Sequence, residues 1–192
     1  EKINARVFLM IGFPNESFQQ IKNTIEVSQT MNLDWYNVTI LQPLPNTVIF
    51  DQMLSEGLIG DISFSEMGYN SGTHGKSTNK SGKGVDPLSV NFADAFNHKS
   101  LNDIPTRKDL DNIWAYMNFH LNFKRLFNEN RSSKLNQQYK YVRNIAELVA
   151  PNNAFALYFA SFLHHKLKKN VDNNLLNQFK KTIKDNVYWK SR

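Results

Sequence analysis

The sequence predicts an α/β segment with parallel strands, followed by an all-α region. Two observations predict this fold class. Near the start, two short apolar runs flank a segment with helical periodicity, and each run ends at a glycine or proline. From Pro105 onward, apolar residues recur every three or four positions over several consecutive segments, which is typical of packed helices.

The first element is a strand over residues 7–11, an apolar run that ends at Gly12. Such a continuous run is typical of a strand buried on both faces. Ser17 and Gln20 have the spacing of a capping box, which predicts that a helix begins there. Its predicted buried stripe consists of Phe18, Ile21, Ile25 and Met31, and Asn32 is expected to end it in a left-handed conformation.

The second strand is predicted over residues 35–41, so strand, helix and strand form one βαβ unit with parallel strands. Its alternation places Asn37 and Thr39 on one face, opposite the apolar Tyr36, Val38 and Ile40. A short helix should follow between Thr47 as N-cap and Gly57 as C-cap, burying Phe50, Met53 and Leu54.

Four stretches of this segment resemble the later part of radical S-adenosylmethionine enzymes, of the elongator-like type often fused behind a cobalamin-binding domain. The stretches are FLMIGFPNES at 8–17, IKNTIE at 21–26, LQPLPNT at 41–47 and EGLI at 56–59. The family typically has GFPGET and PLPGT, whereas Asn15 and Asn46 replace the glycines here. Asparagine is a common non-glycine residue in the left-handed region, so both departures are mild.

The resemblance implies that residues 1–62 are the C-terminal part of a TIM-type barrel, whose sites lie at the carboxyl ends of the strands. It implies that the backbone of Ile11, Gly12 and Phe13, together with that of Leu41 and Gln42, lies beside the adenine of S-adenosylmethionine. Gly12 lacks a Cβ, which would let a ligand approach closely. Glu16 occupies the acidic position of the motif, and its alternative role is to place negative charge at a helix N-terminus.

In such a barrel Asn37 and Thr39 would face the interior, where polar residues indicate a cavity for a substrate or cofactor. The alternative is a half-exposed strand in an incomplete sheet. The family holds a 4Fe–4S cluster with a CxxxCxxC motif, and this chain has no cysteine. We therefore expect a C-terminal fragment, inactive alone, whose partner is the missing N-terminal half of the same protein, with cobalamin as a further cofactor of the parent. The substrate and the catalytic residues stay open.

Residues 63–104 are predicted to be a flexible polar linker, because small, polar and basic residues dominate residues 68–86. Gly75, Lys76 and Ser77 lack the upstream glycine and the strand of a phosphate-binding loop. His74 and His98 have no partner at metal-ligand spacing, so no metal site is predicted.

Residues 105–192 are predicted to form a helical domain. Thr106 should cap a long helix that buries Leu110, Ile113, Trp114, Met117 and Leu121, with His120 at the boundary of the core. Further helices are expected over residues 135–149 and 154–169, and along Leu176, Phe179, Ile183 and Val187. His164 and His165 are adjacent and point about 100° apart on a helix, which disfavours a shared metal.

The net charge of +6, with lysines concentrated late in the chain, suggests an alternative function. In that alternative, the helical region is a non-catalytic module that binds a protein partner or a nucleic acid. No aromatic stacking platform is interleaved among the lysines, which argues against nucleic acid. The lack of cysteines and of a long apolar run indicates a cytoplasmic protein with no membrane contact, and a homo-oligomer is a further arrangement to consider.

Overall fold

The computed structural model describes residues 3–57, 92–97 and 100–190. The predicted partial TIM-type barrel is wrong. Of the residues that the structure describes, 62% are helical, and two strands among them form one small parallel sheet. The physical reason lies at the second strand, where helical side chains occupy the edge that a further strand would need.

The predicted βαβ unit is confirmed. Strand β1 spans Arg6–Ile11, helix α1 spans Phe18–Thr30, and strand β2 spans Trp35–Ile40. The strands pair in parallel, with Val7 opposite Tyr36 and Ile11 opposite Ile40. Both halves of the Ser17–Gln20 capping box are present, and Asn32 adopts a left-handed φ of 50°. Met31 is 45% exposed, so it does not belong to the buried stripe.

The two faces of the sheet differ sharply, and the prediction that β1 is buried on both faces is wrong. One face packs against α1 and the helix that begins at Arg107, through Ile11, Tyr36, Val38 and Ile40, with Val7 and Leu9 partly buried. The other face carries Phe8, which is 79% exposed, and Met10, which is 46% exposed. An unbroken apolar run thus forms a strand with only one buried face.

Side chains from the helical region after residue 105, called here the helical half, form hydrogen bonds with the outer edge of β2. Asn122 is fully buried, and its side chain accepts from the Tyr36 amide at 2.8 Å and donates to the Tyr36 carbonyl at 2.9 Å. The Trp114 indole N–H donates to the Val38 carbonyl at 2.8 Å. These bonds stand in for those of a neighbouring strand, so the sheet ends at β2.

The long helix predicted after Thr106 changes its winding partway along. Helix α3 spans Arg107–Met117 behind a capping box formed by Thr106 and Asp109. It continues as a π-helix over Asn118–Phe123 and as a 3-10 helix over Lys124–Phe127. The predicted stripe from Leu110 to Leu121 is buried as expected.

The remaining helices follow the predicted order with shifted boundaries. After α2 at Val48–Ser55, the later helices are α4 at Ser132–Asn144, which continues as a π-helix over Ile145–Val149, α5 at Ala154–Lys168, α6 at Asn173–Asp185 and α7 at Val187–Lys190. Thr47 caps α2 as predicted, but Leu54 is 39% exposed. On α6 the buried residues are Leu175 and Thr182, and Val187 belongs to α7, where it is 49% exposed.

The apolar side chains form two cores. The first joins the sheet and α1 to α3, and the second joins α4 and α5 to the segment around Phe123. Trp35 begins β2 but belongs to the second core, because its ring lies 4.7 Å from Tyr141 and 5.5 Å from Phe123. Consecutive residues of β2 therefore anchor different cores.

Asp34 connects the strands to the helices of the second core through polar contacts. Its carboxylate accepts from the Ala5 amide at 3.0 Å and from the Lys134 ammonium at 2.7 Å, while its carbonyl accepts from the Arg125 guanidinium. Burial alone would raise the pKa of Asp34, but these hydrogen bonds and the charges of Lys134 and Arg125 lower it below its ordinary value. The carboxylate is thus held ionised where the two strands begin.

Parts of the predicted linker contact the first core. Phe96 packs edge-on against Phe18 at 6.1 Å, and the carbonyls of Leu101 and Asp103 accept from the first amides of α1. Residues 58–91 and 98–99, with His74, His98 and the Gly75-Lys76-Ser77 stretch, lie outside the described residues. Within the described ranges, no helix is both long enough and apolar enough to cross a membrane.

We expect Asn122→Leu to lower the free energy of unfolding by about 3 kcal/mol, because the buried Tyr36 amide and carbonyl lose their partner. Urea denaturation measures the change. The matched control is Asn136→Leu, which removes an exposed asparagine whose side chain bonds only within α4 and should cost less than about 0.5 kcal/mol. Equal losses in the two variants would show that the edge of β2 does not depend on Asn122.

Candidate ligand-binding edge of the parallel strands

The two motif loops lie side by side at the carboxyl edge of the sheet. The loop after β1 contains Asn15 with φ of 61°, and the loop after β2 contains Asn46 with φ of 65°. Both asparagines therefore adopt the left-handed conformation that glycine favours, as the substitutions in the motifs predict. The Leu41 amide donates to the Ile11 carbonyl at 2.8 Å, which joins the loops where the strands end.

Glu16 ties the first loop together. Its carboxylate accepts from the Gly12 amide at 2.6 Å and from the Phe13 amide at 3.2 Å. Burial raises the pKa of Glu16 above its ordinary value, and the two amide hydrogen bonds oppose that shift. The acid of the motif thus stabilises the conformation of its own loop, a role that the sequence did not predict.

The six predicted cofactor-binding residues come together at this edge. Ile11 is fully buried, Gly12, Glu16, Leu41 and Gln42 are half-buried, and the ring of Phe13 is 42% exposed. The amides of Gly12, Phe13 and Leu41 already donate to internal acceptors. Of the six residues, Phe13 has the most exposed side chain, so its ring is the group that a ligand would contact most readily.

Gly12 owes its identity to packing. Its φ is +86°, and a Cβ built on it would lie 2.9 Å from the Leu110 Cδ1 atom of α3 and 3.4 Å from the Ile40 Cγ2 atom. A side chain there would be strained and would collide with the helical half. The space beside Gly12 belongs to Leu110, so the close approach that the sequence suggested is made by α3.

The exposed face of the sheet, defined here as Phe8, Met10, Asn37 and Thr39, is only partly polar. The register pairs Phe8 with Asn37 and Met10 with Thr39, so all four side chains share one face. Asn37 and Thr39 are half-buried, and the Thr39 hydroxyl donates to the Leu9 carbonyl at 3.2 Å. At the amino end of this face, the Arg6 guanidinium lies 4.4 Å from the centre of the Tyr141 ring of α4.

An iron–sulfur cluster does not fit the residues of this chain. Cysteine is absent, and no group of three or more histidine, aspartate or glutamate side chains in the described ranges could hold a metal ion. His120 stacks on Tyr116 at 4.0 Å, and its pKa is lowered by burial and by the charge of Lys124. His164 lies between the Tyr139 hydroxyl and the Asn170 side chain, each 2.9 Å away.

Two residues that support the sheet, Asp34 and Asn122, were not predicted from the sequence. Asp34 gave no signal beyond being a charged residue before a strand, and Asn122 was one polar position on a helix that was predicted to be continuous. A polar residue between the apolar Leu121 and Phe123 is the pattern that could have marked a buried hydrogen-bonding group.

Comparisons of the chain with models of known protein families, with curated proteins and with solved structures found no match.

We expect the pH dependence of stability to change in Glu16→Gln, because the folded state favours the protonated form of this carboxyl. The stabilisation from Glu16 should be full below its ordinary pKa of 4.5 and should decline as the pH rises through the raised pKa of the folded state. Urea denaturation from pH 4 to pH 7 measures the difference between wild type and the glutamine variant.

Glu16→Ala serves as the companion variant, since it removes the acceptor of both amides at every pH. It should lower the free energy of unfolding by about 1–2 kcal/mol. A wild type that gains stability over the glutamine variant as the pH rises would contradict the assignment.

Proposed function

We propose that this chain is the C-terminal part of a radical S-adenosylmethionine enzyme and that the carboxyl edge of its two parallel strands faces the adenine of that cofactor. The observation that carries the proposal is the meeting of the two motif loops. The loop around Phe13 and the loop around Gln42 lie together, and both asparagines that replace family glycines have a glycine-like φ. Two separate stretches that resemble one family thus form one surface.

The exposed apolar side chains around the sheet support the same proposal. Phe8 is 79% exposed and Val48 is 85% exposed, while Met10, Phe13 and Leu44 are between 42% and 50% exposed. Apolar patches of this kind generally mark a surface that another molecule covers. An N-terminal half of the same protein is the partner that would cover it.

In this proposal, the N-terminal half of the protein attaches to the outer edge of β1. The Ala5 carbonyl accepts from the Trp35 amide and the Ile11 carbonyl from the Leu41 amide. By alternation, the peptide groups of Arg6, Phe8 and Met10 therefore point away from β2. No described strand pairs with that side. A neighbouring strand from the N-terminal half would satisfy these groups.

In this proposal the chain supplies binding and orientation, and the N-terminal half supplies the 4Fe–4S ligands, with or without cobalamin. The exposed ring of Phe13 would contact the bound cofactor, and the carboxylate of Glu16 holds the Phe13 loop in shape. Asn37 and Thr39 face the side on which a substrate would lie.

The gene that encodes the chain tests the proposal first. We expect the reading frame to continue upstream of the codon for Glu1 and to encode a CxxxCxxC motif. In the full protein, reconstituted with iron and sulfide, Glu16→Ala should raise the KM for S-adenosylmethionine about fivefold, because a loop hydrogen bond contributes about 1 kcal/mol. Release of 5′-deoxyadenosine is the measurement.

The control for the kinetic experiment is Glu147→Ala, which removes a glutamate paired with Arg143 on an exposed helix surface. It should leave the KM unchanged. A stop codon directly before an independent start at this chain, or an upstream sequence without clustered cysteines, would refute the proposed function.

A further inference from the structure

The helical half contains an apolar cavity that the proposed function does not use. The cavity has a volume of about 330 Å³ and lies between α5, α6, α7 and the π and 3-10 segments after α3. Seven of its nine lining residues are aromatic, and the other two are Ala154 and Ile183. None of the nine carries a charge.

Ring-to-ring contacts hold the walls in place. Phe155 meets Trp189 nearly edge-on with ring centres 5.1 Å apart, and Tyr158 lies 5.6 Å from Phe179. Trp189 is 6% exposed, and the Asn186 side chain accepts from its amide at 3.4 Å. Aromatic pairs in this geometry are favourable, so the walls are supported without a ligand.

The size of the cavity limits the ligand. An engineered apolar cavity of about 150 Å³ binds benzene. The cavity here is about twice as large, and it falls at the lower end of the range of small-molecule sites. It therefore has room for one bicyclic ring system.

The chemistry of the lining limits the ligand further. A charged molecule would lose its hydration and find no counter-ion among the lining residues. The polar side-chain atoms of the lining are the Tyr158 hydroxyl and the Trp189 indole nitrogen. Flat aromatic walls favour a flat ring, which can extend the edge-to-face contacts already present.

We propose that this cavity is a binding site for an uncharged, planar, bicyclic aromatic molecule. Every lining residue comes after Asn118, so the site contains no residue of the strands and is separate from the site of the proposed function. Its rim includes Tyr158, which is 40% exposed and can offer a hydrogen bond to a single polar group on the ring.

The test is a titration of the whole chain with indole. NMR spectra record the amide resonances of Ala154 and Ile183 at each indole concentration. Saturable binding with shifts at both residues is expected. Ala154→Leu, which fills the cavity from α5, should weaken indole binding at least tenfold. Ile183→Trp fills it from the partly exposed rim with less risk to folding and should have the same effect.

The matched control is Val171→Leu, an enlargement at a residue that is 48% exposed and does not line the cavity. It should bind indole as the wild type does. Indole carboxylate has the same ring with a charge and should bind at least tenfold more weakly than indole. Hexanol, an uncharged chain, should also bind more weakly.

Several results would overturn the inference. These are the absence of saturable indole binding, unchanged affinity in both filling variants, or indole carboxylate binding as tightly as indole. Tighter binding of hexanol would show a site for hydrocarbon chains in place of planar rings. Circular dichroism of each variant confirms that the folded state is being compared.

Discussion

The backbone of β2 needs hydrogen-bonding partners on both sides, and it obtains them from two different kinds of structure. On one side β1 supplies peptide groups in parallel register, and on the other Asn122 and Trp114 supply side chains. Because an unpaired peptide group in a core is costly, β2 can be buried only when the helical half is folded against it. The sheet and the helices therefore depend on each other for stability.

The residues around the start of β2 extend this dependence. Trp35 inserts into the core of α4 and α5, while Tyr36 belongs to the core of α1 and α3. Asp34 receives Lys134 from α4 and Arg125 from the segment after α3. Three consecutive residues thus connect a βαβ unit to helices that follow it by about a hundred positions.

Local signals in the sequence predicted local structure well. The capping box at Ser17, the N-cap at Thr106 and the left-handed asparagines depend on neighbours within a few residues, so the sequence contains all the information they need. The exposure of Phe8 and Met10 depends on what packs on the sheet, and the role of Asn122 depends on a partner 86 positions away. An apolar run cannot reveal which of its faces is covered, and resemblance in two loops could not reveal that the sheet ends at β2.

Gly12 and Glu16 differ in this respect at the candidate site. Both were recognised as important positions, and both lie in the expected loop. Gly12 packs against Leu110, which only the folded chain brings near it, whereas Glu16 accepts from two amides three and four positions before it. The location of the candidate site could be predicted, whereas the contacts that maintain it could not.

The π-helix over Asn118–Phe123 makes the length of the chain in this region as important as its residue types. Each residue of an α-helix turns the chain by about 100°. Loss or gain of one residue before Asn122 would therefore rotate Asn122 and every later side chain of the helix relative to β2. Phe119, Phe123 and Phe127 all approach the Phe159 ring, at 6.5, 5.2 and 4.9 Å, and such a rotation would separate them. Insertions and deletions, which loops tolerate readily, should consequently be rare at this point in related sequences.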